Sequence, residues 1–281
     1  LWADAPGLGE RDRRRGRHLA CQCSAKGPLS IKASTAAEYV PKIVPQRQKA
    51  QLIGTSDITH DLREFRFRSA GGASFLPGQF AMLDLPGLDA SRAYSLSNTA
   101  NDDGEWHFQV RRVPHGNGTH VLFDKLACGD EIGLDGPYGV AWLRTDSPRD
   151  IVCVAGGSGL APMVSIARGA VEAGMLKNRK LYFFYGARTP RDVCGREMLA
   201  QLEGFGDRIV YLPVVSLPGD DGEWQGETGY VHDLVSRALP GNLTGYEFYF
   251  AGPPPMTQAL QEMLMVGHRV PFEQIHCDRF L

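Results

Sequence analysis

From Ala50 to about Arg144, apolar and polar positions alternate in short runs: Leu62, Phe65 and Phe67, then Phe80, Met82 and Leu83, then Tyr94 and Leu96, then Trp106, Phe108 and Val110. Glycine-rich turns separate the runs, so the stretch predicts short antiparallel strands of a small barrel. One helix is predicted within it, from Thr119 to Leu126. It is entered through Gly116-Asn117-Gly118 and turns Val121, Leu122 and Leu126 inward. From Asp150 the rhythm becomes strand, loop, helix. Ile151 to Ala155 is a wholly apolar strand, and the helix after it carries Leu160, Met163, Val164, Ala167 and Val171 at helical spacing. Leu181 to Tyr185, Ile209 to Val215 and Tyr246 to Ala251 read as three further strands, each followed by a helix. Such alternation predicts a parallel sheet covered on both faces, with ligands at the carboxyl ends of its strands.

The leading residues fit neither rhythm. Residues 1–35 have few large apolar side chains, and Arg11-Asp12-Arg13-Arg14-Arg15 reads as a solvated face. Residues 36–48, with Pro41 and Pro45, read as an extended linker. The first residue is Leu1, with no apolar secretory core after it, so the native chain is expected to begin further upstream. The remainder divides into a barrel domain, 49–146, and a second domain, 147–281.

Composition narrows the function classes. With 281 residues and 43% apolar content, two cores can be buried. A formal net charge of -2 gives no nucleic-acid footprint. The longest apolar runs fall far short of the roughly 20 residues that span a bilayer. The six cysteines lie scattered, which fits a reducing, cytoplasmic setting. Cys128, Cys153 and Cys194 are expected to be buried small apolar residues, not redox groups.

Three stretches carry chemistry. Gly156-Gly157-Ser158-Gly159 follows a buried strand and opens a helix, where unpaired N–H groups and the positive dipole end suit a pyrophosphate. Its spacing departs from G-x-G-x-x-G, and alone it is as readily a structural turn. Arg92-Ala93-Tyr94-Ser95 offers a guanidinium for phosphate, a ring for stacking and a hydroxyl donor, although alone it reads as ordinary alternating strand. The third is Ala251-Gly252-Pro253-Pro254-Pro255-Met256.

In this order the motifs resemble the ferredoxin-NADP reductase family, especially the reductase components of bacterial multicomponent aromatic-ring (toluene, phenol) and alkene monooxygenases. The resemblance covers residues 50 to 281. It implies a six-stranded antiparallel FAD-binding β-barrel followed by a parallel-sheet α/β nicotinamide-binding domain. It places Arg92 at the FAD phosphates, Tyr94 at the ring face and Ser95 near flavin N5. Gly116, Asn117, Gly118 and Thr119 match a second phosphate-binding turn, and Gly136-Pro137-Tyr138-Gly139 the turn closing the flavin domain. Gly156, Gly157, Ser158 and Gly159 match the coenzyme pyrophosphate loop. Gly252, Pro253, Pro254 and Met256 match the loop near the nicotinamide ribose. His276-Cys277-Asp278-Arg279-Phe280 matches a terminal segment that sets Phe280 beside the flavin. Many relatives have cysteine where this chain has Ala251.

Leu19-Ala20-Cys21-Gln22-Cys23 and Leu29-Ser30-Ile31-Lys32 resemble the end of a plant-type ferredoxin domain, which makes residues 1–35 its C-terminal remnant. Cys21 is then the fourth ligand of a 2Fe-2S cluster. The C-x4-C-x2-C run for the other three ligands is absent, so this chain alone cannot assemble the cluster.

The expected reaction is hydride transfer from NADH to FAD, then single-electron delivery through a 2Fe-2S cluster of the complete protein. The receivers are a Rieske-type or other ferredoxin and an oxygenase component, and the reductase is expected to be a monomer. NADH is preferred because Asp220, Asp221 and Glu223 would repel a 2'-phosphate, while Arg188 and Arg191 leave NADPH open. The alternatives are a stand-alone NADPH-ferredoxin or flavodoxin reductase and a non-catalytic nucleotide-binding module.

Overall fold

Period-two alternation becomes a barrel because each strand buries one face against its neighbours. The computed structural model describes residues 10, 14–16, 25–29, 40–219 and 224–279. The described residues from Ile43 to Arg279 lie in one compact unit holding both the barrel and the sheet.

The barrel comprises β1 (Gln46–Asp57), β2 (Leu62–Ser69), β3 (Phe80–Asp84), β4 (Arg92–Ser95), β5 (Glu105–Arg111) and β6 (Glu131–Tyr138). All pair antiparallel, in the order β4-β3-β6-β1-β2-β5. The seam is nearly closed by a bridge between Leu96 and Phe108 and by Ser97 N–H donating to the His107 carbonyl at 2.8 Å. Leu52, Phe65, Phe67, Leu83, Leu96, Trp106, Phe108 and Leu134 fill the interior. The indole of Trp106 donates to Ser69 Oγ at 3.1 Å, so its polar edge is not stranded in the core.

Four details differ from the sequence reading. In β3 the inward residues are Ala81 and Leu83, and Phe80 and Met82 are only half-buried. β1 begins at Gln46, inside the stretch read as linker, because its ladder to β6 uses backbone groups and its outer side chains stay polar. The inserted helix, α1, spans Asn117–Asp124 and buries Gly118, Thr119, Val121 and Leu122, leaving Leu126 beyond its end. Cys128 is exposed, not buried, on a turn closed by Asp130, whose carboxylate accepts from Ala127 N–H at 2.8 Å. Cys153 and Cys194 are buried, and burial pushes both thiols up, that of Cys194 to about 11.

The second sheet is parallel: β7 (Asp150–Gly156), β8 (Leu181–Ala187), β9 (Ile209–Val215), β10 (Glu227–Thr228), β11 (Tyr246–Gly252) and β12 (Ile275–Arg279), in the order β10-β9-β8-β7-β11-β12. The helices are α2 (Leu160–Glu172), α3 (Arg196–Ala200), α4 (Val231–Ala238) and α5 (Pro254–Glu262). β10 and β12 add to the strands read from sequence, and β10 separates β9 from the helix expected after it. The chain runs outward from β7 to β10 and returns on the other side with β11 and β12. The switch point therefore lies between β7 and β11, the place where folds of this kind bind ligands at the carboxyl ends of their strands.

Helix α2 is buried nearly all round, including Ala161, Ile166, Gly169 and Ala170. One face packs on the sheet and the other on the barrel. Ser165 Oγ donates to the Asn98 carbonyl at 2.7 Å, and Arg168 donates to that of Ser97 at 2.8 Å. A Cβ at Gly169 would lie 2.4 Å from the Pro77 ring, so glycine permits this close approach. Among the described residues no helix is long and apolar enough to cross a membrane.

Candidate functional site

Two corners converge where the barrel mouth meets the carboxyl edge of the sheet. The first is built on β4. Strand pairing sets Ser95 beside Phe80 and Tyr94 beside Ala81. Arg92 and Tyr94 are half-buried and Ser95 is buried. Burial pushes the Tyr94 phenol up to about 12, against the opposing Arg92 charge, so the ring stays neutral over any working pH. Helix α1 starts directly against this strand. A Cβ at Gly118 would lie 3.0 Å from Tyr94 Oη and 3.3 Å from Arg92 Cγ. No side chain caps the start of α1 at Gly116, which leaves N–H groups for an anion beside the aliphatic stem of Arg92, whose Nη1 donates to the Ala90 carbonyl at 2.9 Å and the Ser91 carbonyl at 3.2 Å. That donor set fits the diphosphate of a flavin nucleotide. Asn117 is exposed here. Thr119 has a more local role, because its hydroxyl bonds Val113 at 3.2 Å and the Gly116 carbonyl at 3.1 Å and ties the turn together.

The second corner lies at the switch point. Gly157–Gly159 form one 3-10 turn between β7 and α2, again without a side-chain cap. Gly157 takes φ 57°, which glycine adopts without steric cost. Gly159 is required for another reason: a Cβ there would lie 2.0 Å from the Ala251 carbonyl oxygen. Ser158 is half-exposed at the turn. Across the switch point, Gly252 leads through Pro253 to α5, where Pro254 occupies a first-turn position that needs no N–H donor. Met256 folds back so that its Sδ would be 2.7 Å from a Cβ at Gly156 and its Cε 2.7 Å from one at Gly252. The structure thus brings Gly156, Gly157, Ser158, Gly159, Gly252, Pro253, Pro254 and Met256 to one edge.

A hydrogen bond links the corners. Ser95 Oγ donates to Asp278 Oδ2 at 3.3 Å, connecting the barrel's β4 to the terminal strand of the sheet. Asp278 pairs in register with Ala251, so their side chains share a face. Cys277 takes the opposite face, among the packing around Phe248 and Phe250, and does not replace the thiol missing at Ala251.

Sequence reading missed Arg111. It ends β5 as an ordinary alternating residue, yet its Nη1 would lie 3.4 Å from a Cβ at Gly157. No periodicity signals this, because the approach is made across the seam between barrel and sheet. Phe280, Cys21 and Asp220, Asp221 and Glu223 lie outside the described residues.

Comparison with known proteins agrees with the fold. Residues 49–142 match the oxidoreductase FAD-binding domain and residues 153–262 the oxidoreductase NAD-binding domain. The chain is 40% identical over 284 residues to the ferredoxin–NAD(P)(+) reductase CarAd of Metapseudomonas resinovorans, covering 100% of this chain and 83% of that protein. It is 37% identical over 282 residues to the ferredoxin–NAD(+) reductase component of the alkene monooxygenase system of Xanthobacter autotrophicus, covering 100% and 84%. A solved structure of the ferredoxin reductase in carbazole 1,9a-dioxygenase superposes with a TM-score of 0.87 at 37% identity, covering 100% of this chain and 82% of that one.

Proposed function

Since the chain belongs to the ferredoxin–NAD(P)+ reductase family, we propose that it is the NADH-dependent, FAD-carrying reductase of a multicomponent monooxygenase, feeding a ferredoxin and through it an oxygenase. The observation that carries this reading is the bond from Ser95 to Asp278, which fuses the barrel mouth to the carboxyl edge of the sheet. FAD, when bound, supplies the conversion of a two-electron hydride into single electrons. The protein contributes alignment and exclusion of water.

In this reading Arg92 and the start of α1, from Gly116 to Thr119, hold the diphosphate, and the neutral Tyr94 ring lies on the flavin face. Ser95, with its hydroxyl proton directed to Asp278, presents its oxygen to the ring edge as an acceptor. The turn from Gly156 to Gly159 receives the pyrophosphate of NADH. Gly252, Pro253, Pro254 and Met256 shape the ribose and nicotinamide side, with Phe280 assigned to the far face of the flavin. No acid, base or metal is required for the hydride step. The monomeric state and the cytoplasmic setting belong to the same reading.

The test is a visible spectrum before and after anaerobic addition of NADH or NADPH. Bleaching of bound flavin, with higher turnover efficiency for NADH, supports the proposal. A colourless protein, or one that NADH leaves unbleached, sinks it. Equal or better efficiency with NADPH favours the second coenzyme, for which Arg188 and Arg191, both exposed at the carboxyl end of β8, are the relevant cations. We also assign residues 1–35 to a ferredoxin domain with Cys21 as a cluster ligand. Iron and sulfide analysis of the product of the full reading frame checks this, and an iron-free product removes it.

A further inference from the structure

A group of charges spans the seam beside the coenzyme turn. Asp61 ends the tight connection from β1 to β2, where its Oδ1 accepts from Thr59 Oγ1 at 3.1 Å. Its Oδ2 accepts from Arg111 Nε at 2.6 Å. From the other side of the seam, Asp192 turns its Oδ1 toward Arg111 Nη2 at 3.5 Å. The second oxygen of Asp192 is already engaged, taking Thr189 N–H at 2.9 Å and Thr189 Oγ1 at 2.7 Å. His60 Nε2 lies 3.7 Å from Asp61 and 3.8 Å from Asp192.

The ligand atoms of His60, Asp61 and Asp192 lie within 4.8 Å of one another, a spacing that suits a cation. The cation between the two carboxylates is the guanidinium of Arg111. Its Nε and Nη2 edge is taken by the carboxylates, and Nη1 is the nitrogen that faces Gly157. An arginine has five donors in a rigid fork, so fixing one edge fixes the direction of the other. Burial alone would lower the Arg111 pKa, but the two carboxylates more than offset it, and the group stays charged.

We infer that Asp61 and Asp192 are positioning residues: they clamp Arg111 so that its free guanidinium end meets the dinucleotide pyrophosphate on the Gly156–Gly159 turn. The inference rests on assigning that turn to the coenzyme, as proposed above. It has a consequence opposite in sign to simple charge counting. Asp61 brings negative charge near an anion site, so electrostatics alone predicts that its removal tightens binding of an anionic ligand. The clamp predicts weaker binding, because an unanchored arginine must be ordered anew.

The experiment measures ADP-ribose binding to the flavin-loaded protein by calorimetry, together with kcat and KM for NADH. ADP-ribose carries the pyrophosphate but no reacting ring. Asp61→Ala is expected to weaken ADP-ribose about tenfold and to raise KM for NADH with kcat within about twofold. Asp61→Asn keeps an acceptor for Nε and is expected to recover most of the loss. Arg111→Lys keeps the charge without the fork and is expected to match Asp61→Ala, which guards against Asp61→Ala failing to fold. Tighter or unchanged binding in Asp61→Ala, or in Arg111→Lys should only that variant fold, overturns the clamp. If the wild-type protein itself does not bind ADP-ribose, the assignment of the turn fails and the clamp with it.

Discussion

Gly159 is where the turn proposed to receive the coenzyme runs closest to the main chain of β11, and Gly159→Ala tests how tightly the switch point is built. The added methyl would lie 2.0 Å from the Ala251 oxygen, 2.4 Å from its carbonyl carbon and 2.9 Å from Gly252 N. Non-bonded atoms of this kind rest about 3.5 Å apart, so something must move by more than about 1 Å. All three neighbours are backbone and cannot swing away. Either the start of α2 lifts or β11 bends, and both displace the surfaces that would hold NADH. Overpacking of this sort costs about 1–3 kcal/mol of stability. A misplacement of about 1 Å slows a positioned reaction on the order of 100-fold. Gly156→Ala is the control, because its methyl would meet the Met256 sulfur, on an unbranched side chain, at 2.7 Å and the Pro253 ring at 3.3 Å. Rotation of the thioether can relieve much of that contact, and the expected loss is below about 1 kcal/mol. Urea denaturation and anaerobic stopped-flow bleaching by NADH read the two effects separately. Flavin content should hold in both variants, since β4 and α1 belong to the barrel. Wild-type stability and bleaching in Gly159→Ala, or equal damage in Gly156→Ala, would refute the reasoning.

Gly118→Val should lower the flavin content of purified protein at least tenfold, because any Cβ at that position crowds Tyr94 and Arg92; full retention would remove α1 from the flavin site. Burial pushes the phenols of Tyr94, Tyr185, Tyr211 and Tyr249 up, that of Tyr94 to about 12. Stability from such groups is complete below their ordinary pKa of about 10 and is lost as pH rises through the folded values, so the urea midpoint should fall from pH 10 to 12. An unchanged midpoint over that range contradicts the prediction, and Tyr94→Phe should shed only its own share. For Glu247, burial works to raise the carboxyl pKa. Its bonds to His276 Nε2 and Ser147 Oγ, both 2.7 Å, and to Arg149 at 3.1 Å prevail and lower it. Glu247→Ala should therefore cost about 1–3 kcal/mol at pH 7, because it leaves the buried Ser147 and His276 without their partner. The wild-type advantage from this carboxylate should shrink as pH falls through its depressed pKa, and a pH-independent difference in urea titrations would exclude the mechanism.

The alternating runs from Leu62 to Val110 and the apolar strand from Ile151 to Ala155 specify a barrel followed by a parallel sheet, because strand periodicity and burial on both faces are written directly into side-chain order. Glycine turns that open helices are likewise local, which is why the entry to α1 and the Gly157–Gly159 turn before α2 are legible in the chain. Tertiary packing decided the rest. The second buried face of α2 exists only because the barrel lies against it, so helical spacing from Leu160 to Val171 reveals one face alone. Cys128 is exposed because its turn projects from the barrel, and β1 starts early because backbone pairing needs no apolar side chain. The contact of Ser95 with Asp278, 183 residues apart in sequence, and the approach of Arg111 to Gly157 are made across the seam between barrel and sheet. Local patterns determine which face of an element is apolar. They do not encode which polar side chain ends up opposite another where the barrel and the sheet pack together.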